Sequence, residues 1–368
     1  MISICGVQEQ ESQVGLRDDL HFDTRHKAFD LSRLTELPFF GVEQEHFVFH
    51  PGKRLPSHRT TEHLWDLLIA NSGFAPRCTN SSGMRLSIER ASPYGPIVIS
   101  NDSCSHIIEI SFPKMDSLDA FAELYQTTWQ TLEKHLSELE LEIYLGSSID
   151  DCWPRKSAAD ENAARSHTID LDDVSVINWR PKESEPEGAR LKKFLQRPQL
   201  EDPLFTLSFP ACFTSTHINF DLDAEEVIRR LPGLYAREID VPIRFTQCEV
   251  FREVKGQCVR LLAWLANYHR PYPMLGIPDR LPVSLAEYKE LCSQCDGRDY
   301  SFVSIRDARR VEFRSACSQP TVDNVLELIR FRWESYQSAM DQPSLDLDFL
   351  RAEFIEACRT GNNSLVGE

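Results

Sequence analysis

The sequence predicts an α+β fold in which α-helices cover the outer face of a curved, mainly antiparallel β-sheet. Two observations support this fold class. Four strand-like stretches alternate apolar residues with ionisable or amide residues, so each has an apolar face and a polar face. Stretches with helical periodicity lie between these strands. Helices would cover the apolar faces, and the polar faces would line a trough.

The first predicted strand, residues 39–49, carries two acids one residue apart, Glu43 and Glu45. Successive side chains of a strand point to opposite faces, so both carboxylates would point to the same side. Two like charges this close repel each other unless water screens them or a divalent cation lies between them. A solvated strand face explains this pair when it is taken alone. A metal site becomes the better interpretation if further acids converge on it.

Three later strands repeat this arrangement, with ionisable or amide side chains opposite an apolar face. The stretch at residues 215–223 is the clearest alternation of the chain, because Ile218, Phe220 and Leu222 alternate with polar residues. The three strands are residues 104–113 with Glu109, residues 215–223 with His217 and Asn219, and residues 310–316 with Glu312 and Arg314. Arg306, at the end of a neighbouring strand over residues 300–306, is a further candidate for the same face.

Helices are predicted wherever apolar residues recur every three or four positions. Either Asp116 or Ser117 would cap the second of them, because both side chains can accept a hydrogen bond from a free backbone N–H group. The helices would span about residues 60–73, 117–136, 224–231, 246–268, 284–295, 322–340 and 345–359.

Residues 1–37 carry no sustained periodicity and are predicted to form an N-terminal arm. Residues 38–368 would form a single domain, because the predicted strands and helices alternate throughout them. An irregular insertion at about residues 150–203, rich in acids and prolines, would interrupt that domain. This insertion is equally compatible with a lid over a site and with a solvated loop.

Composition excludes several kinds of partner. The net charge of −17, from 57 acids and 40 bases, argues against nucleic acid or an anionic membrane as the partner. The eleven cysteines are scattered and odd in number, which favours free thiols over a disulfide framework. No apolar segment is long enough to cross a bilayer. We therefore expect a cytoplasmic protein.

Several carboxylates in one trough predict bound divalent cations, and their oxygen ligands suit Mg²⁺ or Mn²⁺. Magnesium held by carboxylates keeps coordination positions free for phosphate oxygens, so the expected chemistry is phosphoryl transfer from a nucleotide. An arginine in the trough would neutralise charge on the transferred group. Each residue also has a purely structural explanation. His217 alone could be a hydrogen-bonded core histidine, and Arg314 could simply form an ion pair with Glu312.

One known family carries a similar set of motifs in the same order. The chain resembles the glutamate-cysteine ligases and their carboxylate-amine ligase relatives over about residues 38–341. The motifs are Gly41-Val42-Glu43-x-Glu45, Ile108-Glu109-Ile110 with Pro113, Thr216-His217-Ile218-Asn219-Phe220, and Val311-Glu312-Phe313-Arg314 with Gln319-Pro320-Thr321.

This resemblance implies a glutamine-synthetase-like catalytic domain whose sheet forms a funnel around ATP and magnesium. It also implies that a carboxylate is activated as an acyl phosphate and then joined to an amine. Arg314 would contact the transferred phosphate, Asn219 would face the nucleotide or substrate, and Arg306 is a weaker catalytic candidate. The implied metal ligands are Glu43, Glu45, Glu109, His217 and Glu312; Glu43 is also a catalytic candidate, and His217 a phosphate-site candidate.

The expected substrates are amino-acid-like small molecules, with glutamate and cysteine as the default pair, or a peptide. The alternatives are a non-catalytic relative that binds a nucleotide or peptide as a scaffold, and a metal-dependent hydrolase that uses the same acids. The sequence leaves the oligomeric state open, and a homodimer is one of the options. We also expect Glu45→Gln or Glu312→Gln to abolish turnover while stability stays unchanged or rises, because removal of a repelled anion relieves strain.

Overall fold

A nine-stranded, fully antiparallel sheet forms the centre of the structure, which is a computed structural model. The structure describes residues 37–51, 56, 58–79, 85–102, 106–147, 213–246, 250–251, 254–255, 258, 260–261, 274–294, 299–339 and 345–360. The strands of the sheet are β1 (Phe40–Phe49), β2 (Ala75–Thr79), β3 (Arg85–Ser92), β4 (Gly95–Asn101), β5 (Ile107–Ser111), β6 (Glu142–Tyr144), β7 (Thr216–Asp221), β12 (Val303–Ile305) and β13 (Arg310–Phe313).

Two pairs of short strands lie outside this sheet. The first is antiparallel, β8 (Val250–Phe251) with β9 (Val254–Lys255), and the second is parallel, β10 (Leu275–Gly276) with β11 (Tyr300–Ser301). In the main sheet the strand order is β12-β13-β7-β1-β5-β4-β3-β2, and β6 pairs with the far end of β1. The described sheet is therefore open, with β12 and β2 at its edges. The mixture of helices and an antiparallel sheet confirms the α+β prediction, whereas the funnel shape stays a prediction.

Strand β1 lies in the middle of the sheet, between β5 and β7. Its even-numbered residues Phe40, Val42 and Val48 belong to the hydrophobic core, as the alternating pattern predicts. Its odd-numbered residues include Glu43 and Glu45, which lie on the opposite face. The first strand of the sequence thus organises both the core and the polar side of the sheet.

Seven described helices accompany the sheet, and side-chain caps begin four of them. Ser117, Asp223, Ser284 and Thr321 each accept a hydrogen bond from a backbone N–H group three residues later. The helices are α1 (His58–Ser72), α2 (Leu118–Glu138), α3 (Ala224–Arg237), α4 (Asp240–Arg244), α5 (Leu285–Ser293), α6 (Val322–Ser338) and α7 (Leu347–Thr360).

The core lies between the apolar face of the sheet and helices α2, α3 and α6. Phe40 of β1 packs edge-on against Phe121 of α2 with ring centroids 5.7 Å apart, and Phe220 of β7 packs against Trp333 of α6 at 6.0 Å. Burial of one such aromatic side chain contributes about 1.5–3 kcal/mol. The helices therefore hold β1 and β7 in place from one side and leave their other faces for polar groups.

Some predicted elements differ from the structure or lie outside it. The helix predicted over residues 246–268 is wrong at residues 250–251 and 254–255, where β8 and β9 form an antiparallel pair. Valine and phenylalanine favour strands as well as filling a helical stripe, so periodicity alone could not decide. Residues 1–36 of the predicted arm and all of the predicted insertion at 150–203 lie outside the described residues.

Within the described ranges, no helix combines the length and the apolar character that crossing a membrane requires. None of the cysteines that the structure describes forms a disulfide, namely Cys78, Cys258, Cys292, Cys317 and Cys358.

Candidate functional site: two acidic groups on one sheet face

The sheet register brings the predicted site residues onto one face. Residues directly opposite each other in antiparallel strands point to the same side. Each of the three pairings that join the site strands puts two predicted site residues face to face. The pairs are Glu45 opposite Glu109, Glu43 opposite His217, and Glu312 opposite Asn219. Side chains from four distant parts of the chain thus converge, as the alternation predicts.

The first group consists of Glu43, His217 and Glu312. One possible ligand atom of each lies within 4.8 Å of the others. His217 Nδ1 is 3.4 Å from Glu43 Oε2 and 3.1 Å from Glu312 Oε1. The imidazole therefore lies between two carboxylates from two different strands.

The second group consists of Glu45, Asp102 and Glu109, whose possible ligand atoms also lie within 4.8 Å of one another. Asp102 directly follows β4 and is absent from the predicted site residues. It occurs in the run Asn101-Asp102-Ser103, which is typical of a turn and carries no strand alternation. Only the pairing of β4 with β5 brings Asp102 to Glu109, and this pairing could not be predicted from the sequence.

Charge repulsion characterises the second group. Burial raises the pKa of Glu109, and repulsion from Asp102 raises it further. Glu43 and Glu45 add to the effect, whereas a hydrogen bond from Ser111 lowers it, and the pKa of Glu109 ends well above its ordinary value. A divalent cation among the three acids would relieve this repulsion, so the arrangement favours cation binding.

Charge pairing characterises Glu312 in the first group. Burial alone would raise its pKa, but Arg314, His217 and Arg306 outweigh burial and hold the pKa of Glu312 well below its ordinary value. The Arg306 Nε group donates a hydrogen bond to Glu312 Oε2, and Arg314 Nε lies 3.3 Å from Oε1. Glu312 is thus a compensated anion rather than a repelled one. The premise of the Glu312→Gln expectation, a repelled anion, is therefore wrong for this residue.

His217 supplies positive charge within the first group. Burial lowers its pKa, but the hydrogen bonds to Glu312 and Glu43 outweigh burial and raise the pKa to about 9. The imidazolium therefore places one positive charge between the two carboxylates at neutral pH. A divalent cation between them would supply two positive charges and would bind the Nδ1 lone pair in place of the proton.

Arg314 and Arg306 approach the first group from the side of β13 and β12. Arg314 Nη1 donates to the backbone carbonyl oxygen of Asp299 at 2.9 Å. Buried Arg260 donates to the carbonyl oxygens of Arg314 and Ser315, both at 3.1 Å, and so holds the backbone behind Arg314. The structure thus places both predicted arginines at Glu312, and Arg260 supports one of them.

A pocket of about 350 Å³ opens beside the first group. Glu43 and Asn219 belong to both the polar sheet face and this pocket. Asn219 is 9% exposed, and its Oδ1 atom has no hydrogen-bond partner among the described residues. The pocket is lined by Phe39, Phe40, Gly41, Val42, Glu43, Phe112, Lys114, Asn219, Phe220, Asp221, Asp307, Arg309 and Arg310.

An exposed aromatic ring and two cations that already form ion pairs lie around this pocket. The Phe39 side chain is 47% exposed, and Lys114 Nζ lies 4.8 Å from the centre of its ring. Lys114 and Arg309 both form ion pairs with Asp221. A flat apolar group with hydrogen-bonding edges would fit such a pocket better than a strongly charged one, because the cations already have partners.

The donor set fits hard divalent cations. The two groups offer five carboxylates and one imidazole, and no cysteine occurs in either. Oxygen ligands of this kind suit Mg²⁺ and Mn²⁺, whereas soft metals prefer thiolates. The residues present therefore fit the expected magnesium or manganese, and Asp102 adds a ligand to the five that the sequence predicts.

No protein-family profile matches this sequence, and no curated protein matches it. Two similar solved structures are the complex between the prokaryotic ubiquitin-like protein Pup and its ligase PafA, and apo GmaS without ligand. The first has a TM-score of 0.43 and 11% identity, covering 88% of this chain and 51% of that chain. The second has a TM-score of 0.36 and 10% identity, covering 88% of this chain and 63% of that chain.

This chain thus spans about half of the first neighbour and less than two thirds of the second. Likeness at this level carries no inference about activity, so the activity has to follow from the geometry of the site. The resemblance to glutamate-cysteine ligases stays a prediction.

Proposed function

We propose that this protein is an ATP-dependent carboxylate-amine ligase with a glutamine-synthetase-like catalytic domain. It would activate a carboxylate as an acyl phosphate and join it to an amine. The observation that supports this most is the arrangement on β1, where Glu43 and Glu45 belong to two adjacent ligand groups on one sheet face. Two cations held side by side can bind both ends of a phosphoryl transfer.

The two groups would divide the binding work between them. Glu43, His217 and Glu312 would hold one cation beside the pocket, where it can bind phosphate oxygens. Glu45, Asp102 and Glu109 would hold a second cation farther along β1. When bound, these cations supply positive charge to the phosphate and to the carboxylate that attacks it.

The arginines would act on the transferred group. Arg314 lies at Glu312 with its guanidinium tied to the Asp299 carbonyl oxygen, so little reorganisation is needed when negative charge develops on the phosphoryl oxygens. Arg306 lies on the other oxygen of Glu312 and would assist it. An arginine placed in this way is worth about 10³-fold or more in phosphoryl-transfer rate.

The pocket beside Glu43 would bind the nucleotide. Asn219 has a buried amide oxygen that can accept a hydrogen bond from a ligand, and Phe39 offers an aromatic ring for a planar base to pack on. The adjacent cation group would then face the phosphates. This assignment extends the expected role of Asn219, which was to face the nucleotide or the substrate.

The reaction needs no side-chain nucleophile. A carboxylate oxygen of the substrate attacks the γ-phosphorus, the bond to the bridging oxygen breaks, and ADP leaves. The amine then attacks the acyl carbon, inorganic phosphate leaves, and the amine proton goes to an acid of the site or to the phosphate. The acids and arginines contribute position and charge rather than covalent chemistry.

The finer assignment concerns the substrates and the setting. Glutamate and cysteine are the first pair to test, because the motifs resemble those of glutamate-cysteine ligases. Other amino-acid-like acids and amines follow, and a peptide acceptor belongs in the same panel. We infer a cytoplasmic enzyme, because the cysteines are scattered and odd in number and none of the described ones forms a disulfide.

The test is ADP release by the full chain with Mg²⁺, ATP and a panel of acids and amines. Hydroxylamine serves as a general amine, because it converts an acyl phosphate into a hydroxamate that can be measured directly. We expect ADP and hydroxamate in equal amounts with one class of acid. Glu45→Gln should abolish both products, whereas Glu142→Gln, at an exposed strand position, should leave them unchanged.

Two results would contradict this function. Nucleotide binding without ADP for any acid in the panel would favour the non-catalytic scaffold. Turnover of a substrate with Mg²⁺ but without ATP would favour the metal-dependent hydrolase.

A further inference from the structure

Ser215 lies between the two acidic groups and contacts a member of each. Its backbone N–H and its Oγ–H both donate to Glu45 Oε2, at 2.7 and 2.8 Å. Its Oγ also lies 2.8 Å from His217 Nε2. Glu45 belongs to the second group and His217 to the first, so one buried serine hydroxyl joins the two.

The number of protons fixes the direction of this hydrogen-bond chain. A serine hydroxyl has one proton, and a carboxylate can only accept, so the proton of Ser215 Oγ is directed to Glu45. The Oγ atom must then accept from His217, which places a proton on Nε2. When a cation replaces the Nδ1 proton of the imidazolium, the ring would therefore be held as the Nε2–H tautomer, with the Nδ1 lone pair facing Glu43 and Glu312.

The backbone around Ser215 is well anchored, so the hydroxyl has a fixed position. Ser215 is 4% exposed and pairs with Cys317 in an antiparallel bridge. Its carbonyl oxygen accepts a hydrogen bond from the Glu45 backbone N–H at 3.0 Å. The same residue thus holds the backbone and the carboxylate of Glu45.

We propose that Ser215 is a positioning residue that prepares both cation sites at once, by selecting the metal-binding tautomer of His217 and by orienting the carboxylate of Glu45. The inference rests on the proposed function, since it needs the two cation sites. Glu45 would use Oε1 for its cation, because Oε2 already accepts two hydrogen bonds. Groups that orient metal ligands in this way are typically worth about 10–100-fold in metal affinity.

Ser111 offers a matched control. Its Oγ donates to Glu109 Oε1 at 3.0 Å, so it also supports one acid of the second group. Unlike Ser215, it is not part of the hydrogen-bond chain to His217. Ser111→Ala should therefore affect one cation site, whereas Ser215→Ala should affect two.

The experiment titrates the full chain with Mn²⁺ and follows free Mn²⁺ by electron paramagnetic resonance, together with isothermal titration calorimetry. We expect two Mn²⁺ ions per wild-type chain. In Ser215→Ala both should bind about 10–100-fold more weakly, in Ser111→Ala only one should weaken, and in Ser215→Thr, which keeps a hydroxyl, both should bind within about threefold of the wild type.

A spectroscopic measurement tests the hydrogen bond from His217 to Ser215 independently of affinity. In ¹H–¹⁵N spectra of the Mg²⁺-loaded full chain, the wild-type His217 Nε2–H should appear as a hydrogen-bonded proton that exchanges slowly with water. In Ser215→Ala this proton should exchange faster and its resonance should shift upfield, because its acceptor is lost. An unchanged resonance and exchange rate in that variant would overturn the proposed role of Ser215.

The outcomes separate this inference from the function it rests on. A wild-type chain that binds no Mn²⁺ would overturn the cation sites and the role of Ser215 together. Two Mn²⁺ ions in the wild type with unchanged affinities in Ser215→Ala would overturn the role of Ser215 alone. Weaker Mn²⁺ binding at only one site in Ser215→Ala would overturn the claim that Ser215 prepares both cation sites.

Discussion

Glu45 and Glu109 lie directly opposite each other on the neighbouring strands β1 and β5. Like charges placed opposite each other across two strands destabilise a sheet. Burial and the neighbouring acids raise the pKa of Glu109, so the ionised carboxylate destabilises the folded state. A bound divalent cation would offset this repulsion, and these oxygen ligands fit such a cation.

The first prediction concerns Glu109→Gln. In buffer with EDTA at pH 8, this variant should be more stable than the wild type by up to about 1 kcal/mol, because it removes one of the repelling charges. Addition of MgCl₂ or MnCl₂ should raise the melting temperature of the wild type by more than that of the variant. Thermal unfolding followed by circular dichroism measures both effects.

Glu142→Gln is the matched control, because it removes an acid from an exposed strand position of the same sheet. It should change neither the stability nor the response to the cation. A clear loss of stability in Glu109→Gln with EDTA would show that Glu109 supports the fold rather than a cation site.

The second prediction concerns Glu312→Gln, which should behave in the opposite way. Glu312 is 3% exposed and pairs with Arg306, Arg314 and His217, so the neutral amide removes a negative partner from three positive groups. We expect a loss of about 1–3 kcal/mol in the free energy of unfolding. Chemical denaturation of the two variants in EDTA measures the contrast.

Equal effects of Glu109→Gln and Glu312→Gln on stability would contradict the different charge environments of these two acids. Turnover should disappear in Glu312→Gln for a reason separate from stability. Assays well below its melting temperature distinguish the two.

Much of the polar face could be predicted from the sequence, because alternation fixes which side of a strand each residue occupies. Glu43, Glu45, Glu109, His217, Asn219 and Glu312 all lie on the predicted side. Alternation says nothing about which strands are neighbours. Asp102 and Ser215 were missed for this reason, because their importance follows from the pairing of β4 with β5 and of β1 with β7.

One helical prediction is wrong and another ends too early, both for local reasons. Val250 and Phe251 are good strand formers, and the antiparallel pair that they form with β9 replaces the start of a predicted helix. Helix α3 continues past Leu231 and includes Pro232, where a proline usually ends a helix. Its N-cap, Asp223, and its buried face outweigh the backbone hydrogen bond that the proline removes.

The third prediction concerns the nucleotide pocket. Gly41 lines the pocket between Phe39 and Glu43 and has no side chain. A Cβ atom at this position would lie 3.8 Å from both Asn219 Cβ and the Phe112 carbonyl oxygen, which is an ordinary contact distance. Gly41→Leu should therefore fold normally and fill the pocket. We expect ATP to bind at least about tenfold more weakly, a loss of about 1.4 kcal/mol. Fluorescence titration with a labelled ATP analogue measures this affinity.

Ala75→Leu adds a similar side chain at an exposed position of β2 and should leave ATP affinity unchanged. Wild-type affinity in a correctly folded Gly41→Leu variant would place the nucleotide elsewhere.

The fourth prediction concerns His46, on the core side of β1. Its ring packs against Trp129 with centroids 4.7 Å apart, and burial lowers its pKa from 6.5 to about 3. The unfolded chain therefore binds a proton below about pH 6.5 that the folded chain does not bind. His46 leaves stability unaffected above that pH and lowers it by about 1.4 kcal/mol per pH unit as the pH falls below it.

His46→Asn removes the titrating group and keeps an N–H donor near Ser318, which lies 3.2 Å from His46 Nδ1. The variant should be less stable than the wild type at pH 8, because the packing on Trp129 is lost. The difference should shrink as the pH falls from 6.5 to 5. Urea denaturation across this range measures the difference. If the free energies of unfolding of the two proteins change in parallel with pH, His46 does not change its protonation on unfolding.

The central claim is that acids and a histidine from separate strands hold two divalent cations beside a nucleotide pocket. Anomalous diffraction from crystals soaked with MnCl₂ and a non-hydrolysable ATP analogue tests it most directly. We predict one manganese peak among Glu43, His217 and Glu312, a second among Glu45, Asp102 and Glu109, and analogue phosphates at the first. Crystals that bind the analogue elsewhere, with no manganese at either group, would contradict the claim.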